Sequence, residues 1–155
     1  MYTTATDYIA TLSELMTAML VTDKQGGSLS LNEGAERTIQ IILQAKSDSR
    51  KVMLAGNGGS AAIVSHVQND LFKRADVKAM VFTEQPLLLA LANDDGYETV
   101  FEWPIEKWAQ PGDVVVVLSS SGRSENILRA AETALRKECH LVTFSGFDPD
   151  NPLRK

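Results

Sequence analysis

Val114–Leu118 (VVVVL), Ser119–Ser124 (SSSGRS) and Glu125–Glu132 (ENILRAAE) read as a strand, a loop and a helix in direct succession. An unbroken Val and Leu run marks a parallel strand buried on both faces, because helices cover both sides of such a sheet. The loop then places the hydroxyls of Ser119, Ser120, Ser121 and Ser124, with unpaired backbone amides, at a helix N-terminus whose dipole favours negative charge. Capping the helix uses one hydroxyl. The others point to a bound anion, and a phosphate can be surrounded this way without any lysine.

Outward from this stretch, Val52–Ala55, Ala79–Phe82 and Leu141–Phe144 are further short apolar runs separated by segments of helix length. Alternation of this kind from Lys51 onward predicts a doubly wound parallel sheet, an α/β fold of three layers resembling flavodoxin in class. Ligands of such sheets sit beyond the carboxyl ends of the strands, so the loops after Ala55 and Leu118 matter most. The first is Gly56-Asn57-Gly58-Gly59-Ser60, opening a helical window from Ala61 to about Phe72. Its glycines let amides approach an anion closely. It is not a dinucleotide fingerprint, since Ala61 stands where the third glycine belongs, nor does it end in the Gly-Lys-Ser/Thr of a P-loop. No nucleotide cofactor is expected.

Ahead of the sheet, Ile9, Leu12, Leu15, Met16, Met19 and Leu20 recur at helical spacing. Lys24–Ser28 breaks that pattern, and Ser30 with Glu33 forms a capping box for a second helix running to about Ala45, with a stripe of Leu31, Ala35, Ile39, Ile42 and Leu43. An N-terminal helical hairpin over 1–48 and a sheet core over 51–155 are expected within one domain spanning 1–155.

Composition sets the broad class. The 155 residues are 44% hydrophobic and 23% charged with a net charge of −5, which suits a globular fold and leaves no basic patch for nucleic acid. The apolar runs are strand-sized, well below the roughly 20 residues of a membrane helix. A single Cys139 and an N-terminus without a basic, then apolar, leader predict a reducing cytoplasm.

His66 and Asp70 stand four residues apart in the window after the glycine loop, on one helical face, a spacing at which a His and a carboxylate can share a metal. Asn93 and Asp94 fall in Ala92–Tyr97 (ANDDGY), which by itself reads as a turn.

The pair GNGGS and SSSGRS, with ANDDGY between them, resembles the SIS (sugar isomerase) domain, and Lys51–Ser145 is most similar to the phosphoheptose isomerase family. The resemblance implies that Asn57, Gly58, Gly59 and Ser60 contact a sugar phosphate, that Ser119, Ser120, Ser121 and Ser124 hold its phosphate, and that Asn93 and Asp94 reach its hydroxyls. It implies conversion of sedoheptulose 7-phosphate to D-glycero-D-manno-heptose 7-phosphate, with Asp70 at the position of the family's catalytic Glu and with His66 and Asp70 as zinc ligands. It further implies a homotetramer with shared active sites, and a last strand and helix carrying a Gln and a His. Because the sequence stops at Lys155 before these, a C-terminally truncated chain is expected. The alternative reading is a SIS-domain sensor or protein-binding adaptor, such as a factor associated with a replication initiator.

Overall fold

The structure, a computed structural model, describes residues 4–155. Among the described residues, those up to Ile39 form one compact unit and Gln40–Lys155 another, with the division falling inside the second helix. The first unit holds α1 (Ala5–Thr17), an antiparallel ribbon of β1 (Val21–Thr22) and β2 (Ser28–Leu29), and the start of α2 (Leu31–Ser47). The expected capping box opens α2: the Glu33 amide donates to Ser30 Oγ at 3.2 Å and the Ser30 amide to Glu33 Oε2 at 2.8 Å. At Lys24–Ser28, where the sequence suggests only a break between two helices, the chain doubles back. Asp23 Oδ1 accepts from the amides of Gln25 and Gly27 at 3.0 and 2.8 Å, and Val21 pairs with Leu29. The first helix ends at Thr17, short of Met19 and Leu20, and buries none of its residues.

In the second unit, β3 (Lys51–Gly56), β4 (Lys78–Val81), β5 (Val114–Ser119) and β6 (His140–Ser145) form a parallel sheet in the order β4-β3-β5-β6. Successive side chains of a strand point to opposite faces. Met53, Ala55, Val115 and Val117 therefore pack toward α4 (Gln85–Asp94), α5 (Glu102–Trp108) and α6 (Glu125–Arg136), while Val52, Leu54, Val114 and Val116 meet Ala45 of α2 and Val64 of α3 (Gly59–Arg74). Both faces are covered, which is why these strands read as continuous apolar runs. Asp113 fastens the amino ends of the two central strands. Its fully buried carboxylate accepts from the amides of Lys51 and Gln110 at 3.0 and 2.8 Å and pairs with the Lys51 ammonium.

The chain builds β4 on one side of β3 and then returns to build β5 on the other. The helices leaving β3 and β5 diverge to opposite faces there, opening the crevice in which such sheets bind ligands.

Cys139 is buried, and that burial, reinforced by the charge of Asp113, pushes its thiol up to about 11. The unfolded thiol ionises near its ordinary value of about 8.5, so between these values the folded chain holds the extra proton and stability falls as pH rises. At pH 8, iodoacetamide should label Cys139 in denaturant and spare it in buffer; fast labelling of the folded chain would contradict the burial.

Candidate functional site

The glycine loop leaves the end of β3, the serine loop the end of β5, and the two strand ends are hydrogen-bonded neighbours, with Gly56 opposite Leu118. Gly58 precedes the first residue of α3 at φ +51°, and no side chain caps that helix. No side chain caps α6 either. Two adjacent helices thus begin with amides that lack intrahelical acceptors, and the Ser124 hydroxyl is turned toward Ser119 Oγ at 3.3 Å instead of toward its own helix.

Asn57 is held by a reciprocal amide pair. Its Nδ2 donates to Asn126 Oδ1 at 2.9 Å, and Asn126 Nδ2 donates back to Asn57 Oδ1 at 2.9 Å. The Tyr97 hydroxyl adds a bond to the same Oδ1 at 3.0 Å. Asn126 is buried on α6, so this pair ties the glycine loop to the helix that follows the serine loop.

The serine loop is braced from below and from the side. The Gly122 amide donates to the Ser119 carbonyl at 3.0 Å and to Ser119 Oγ at 3.2 Å, while the Arg123 amide donates to Ser121 Oγ at 3.2 Å. The segment after β6 clasps it: the Gly146 amide donates to the Ser120 carbonyl at 3.0 Å, the Leu153 amide to the Gly122 carbonyl at 3.1 Å, and Arg123 pairs with Asp148 at 2.8 Å. The amide of Asp150, and then Arg123, hold the Asp148 carboxyl below its usual range.

Between the loops lies a cavity of about 200 Å³ lined by Asn57, Ser60, Leu118, Ser119, Ser120, Ser121, Ser124 and Phe147. Among these described residues there is no Lys or Arg, so an anion here would be met by hydroxyls, amides and two helix dipoles. Of the expected contacts, Asn57, Ser60 and the four serines come together, and Gly58 and Gly59 form the turn that starts α3. Asn93 and Asp94 do not line the cavity. They occupy the last turn of α4, bonded to each other at 2.7 Å, rather than a free turn.

The contacts missed from sequence are Asn126, Phe147 and the clasp from β6. Asn126 carries a usable signal, since a polar residue falls on the buried face of α6 beside Ile127. Phe147 required knowing that β6 lies next to β5, with Ser145 opposite Ser119.

His66 and Asp70 sit one turn apart on α3, with Nε2 to Oδ2 at 3.5 Å, and Arg74 meets Asp70 from the next turn at 3.4 Å. Both are partly or largely exposed and outside the cavity wall. A zinc site takes three or four protein ligands. Among the described residues no three His, Cys, Asp or Glu side chains are grouped to hold a metal, so this pair alone does not fit zinc.

A doubly wound sheet with two uncapped helix starts and a hydroxyl-lined cavity at its switch point defines an α/β domain of the ligand-binding, doubly wound class. The SIS domain family matches residues 7–146, and the chain belongs to that family. Over 114 residues it is 40% identical to the phosphoheptose isomerase of a Nitratiruptor species, covering 70% of this chain and 61% of that protein. The structure of phosphoheptose isomerase GmhA from Neisseria gonorrhoeae superposes with a TM-score of 0.72 at 25% identity, over 95% of this chain and 78% of that one. A phosphoheptose isomerase from Francisella tularensis shares the fold, with a TM-score of 0.79 at 23% identity over 97% of this chain and 79% of that one. The chain spans 61% and 64% of the length of the first two curated relatives it matches.

Proposed function

We propose that this chain is the phosphosugar-binding part of an aldose-ketose isomerase that interconverts sedoheptulose 7-phosphate and D-glycero-D-manno-heptose 7-phosphate. The cavity between the glycine and serine loops carries this reading, because it gathers hydroxyls and two uncapped helix starts where a dianion could bind, with no carboxylate in its lining. Ser119, Ser120, Ser121 and Ser124 hold the phosphate, and Asn57 and Ser60 contact the sugar beside it. Asn93 and Asp94, at the end of α4, are the proposed hydroxyl contacts farther along.

The reaction moves a proton between adjacent carbons through an enediol, which requires a fixed substrate and a base. Asp70 is the proposed base. Its carboxylate lies between His66 and Arg74, at 3.5 and 3.4 Å. A zinc ion at His66 and Asp70 would need ligands beyond this pair. The exposed apolar stripe of Ile9, Leu12, Leu15 and Met16 on α1 suits burial in a homotetramer in the cytoplasm, and light scattering reads that mass directly.

Titration calorimetry with inorganic phosphate and with sedoheptulose 7-phosphate tests the cradle. A hydrogen bond to a charged group contributes about 1.5–3 kcal/mol, so Ser124→Ala should weaken both ligands by on the order of 10–100-fold. Unchanged affinity in that variant would remove the serine loop from the site, and a full-length protein that binds the sugar phosphate but leaves it unconverted by NMR would remove the isomerase.

A further inference from the structure

Phe147 is out of place by ordinary folding rules. Phe147 is 89% exposed, its backbone sits at φ +60°, and it is among the residues that line the cavity of the serine loop. The Asp148 amide donates to the Gly146 carbonyl at 2.7 Å, closing a three-residue turn with Phe147 at its centre. Turns of this size with positive φ are rare and strained, and a bulky residue in the left-handed region is held there only by its surroundings. A glycine would make the turn without that strain and without exposing a ring to water. The turn is also clamped on both sides to the loop it faces, by Gly146 on the Ser120 carbonyl and by Asp148 on Arg123.

We propose that Phe147 is a specificity-determining residue: its ring forms an apolar wall against the C–H face of the sugar next to the phosphate, separating phosphosugars from bare phosphate. The inference rests on the serine loop being a phosphate cradle. Ligand sites combine a few orienting polar groups with apolar and aromatic walls, and here the polar groups belong to the loops of β3 and β5 while Phe147 and Leu118 supply the apolar contribution. Covering the ring on binding would recover the burial that the free protein forgoes.

The test is calorimetry with inorganic phosphate and sedoheptulose 7-phosphate on the wild-type chain and on Phe147→Ala, Phe147→Trp and Phe147→Gly. Phe147→Ala should lose affinity for the sugar phosphate by about 5–20-fold, the scale of one lost apolar contact, and keep its affinity for inorganic phosphate. Phe147→Trp should keep both. Phe147→Gly should lose sugar affinity while its thermal midpoint stays level or rises, because the strained turn relaxes. Equal loss of both ligands, no loss of either, or a change of particle mass by light scattering in Phe147→Ala each overturns the assignment. A wild-type chain that binds neither ligand overturns the phosphate cradle, and this proposal falls with it.

Discussion

Gly122→Ala is expected to abolish phosphate binding and to lower the thermal midpoint by roughly 5–15 °C, on the scale of about 2–4 °C per kcal/mol for a chain of this size. Two independent costs meet at this residue. Gly122 has φ +62°, and a side chain in the left-handed region costs about 1–2 kcal/mol. A Cβ added there would also stand 1.9 Å from Asn151 Oδ1 and 2.2 Å from its Cγ. Asn151 cannot step aside. It is 1% exposed, its Nδ2 donates to Ser145 Oγ at 2.9 Å and to the Asp148 carbonyl at 2.7 Å, and its Oδ1 is left unpartnered against the glycine. Overpacking of this kind costs about 1–3 kcal/mol more.

The strain has one outlet, which is displacement of the serine loop, since Gly122 also donates to Ser119 and accepts from Leu153. Adding Asn151→Gly should recover part of the stability by removing the overlap while leaving the backbone cost, a coupling that a double-mutant cycle reads directly. If Gly122→Ala bound phosphate like the wild type, the contact with Asn151 would not be what holds the cradle.

The strands were legible because burial on both faces erases alternation, and Val114–Val117 can be little else. The glycine and serine loops were legible for a related reason: each follows such a run and opens a helix. The face of α2 was not. Of the stripe Leu31, Ala35, Ile39, Ile42 and Leu43, Ile42 does pack against the sheet, together with Ile41 and Ala45, while Leu31, Ile39 and Leu43 stay exposed. Periodicity finds apolar faces; it does not tell which one the chain covers with its own sheet. The ribbon of β1 and β2 escaped for want of length, since two-residue strands carry no pattern. Asn57 was found as a loop residue, but its partner Asn126 lies 69 positions away, a separation bridged only by the β3-β5 pairing. Asn151 and Phe147 escaped in the same way, since nothing local to Asn151-Pro152-Leu153 announces that it underlies Gly122.

Asp70→Ala is expected to lower turnover of sedoheptulose 7-phosphate by about 10²–10⁴-fold, the range over which a positioned base contributes, with affinity for inorganic phosphate unchanged. The geometry of α3 motivates both halves. At 1.5 Å per residue, His66 and Asp70 lie about 9 and about 15 Å along the helix from Ser60, which lines the phosphate cavity while they do not. On the proposed function, a seven-carbon chain held by its phosphate among the serines extends farther toward that pair than a three-carbon phosphosugar does, while the phosphate itself stays clear of both residues. Asp70 should therefore affect kcat, and Ser124 chiefly affinity. Asp70→Glu, which adds one methylene of reach, should retain turnover or raise it, as a base limited by distance would and a purely structural partner of Arg74 would not. Equal kcat in Asp70→Ala and wild type would take the carboxylate out of the reaction and leave it as the middle member of the His66-Asp70-Arg74 row on the surface of the helix.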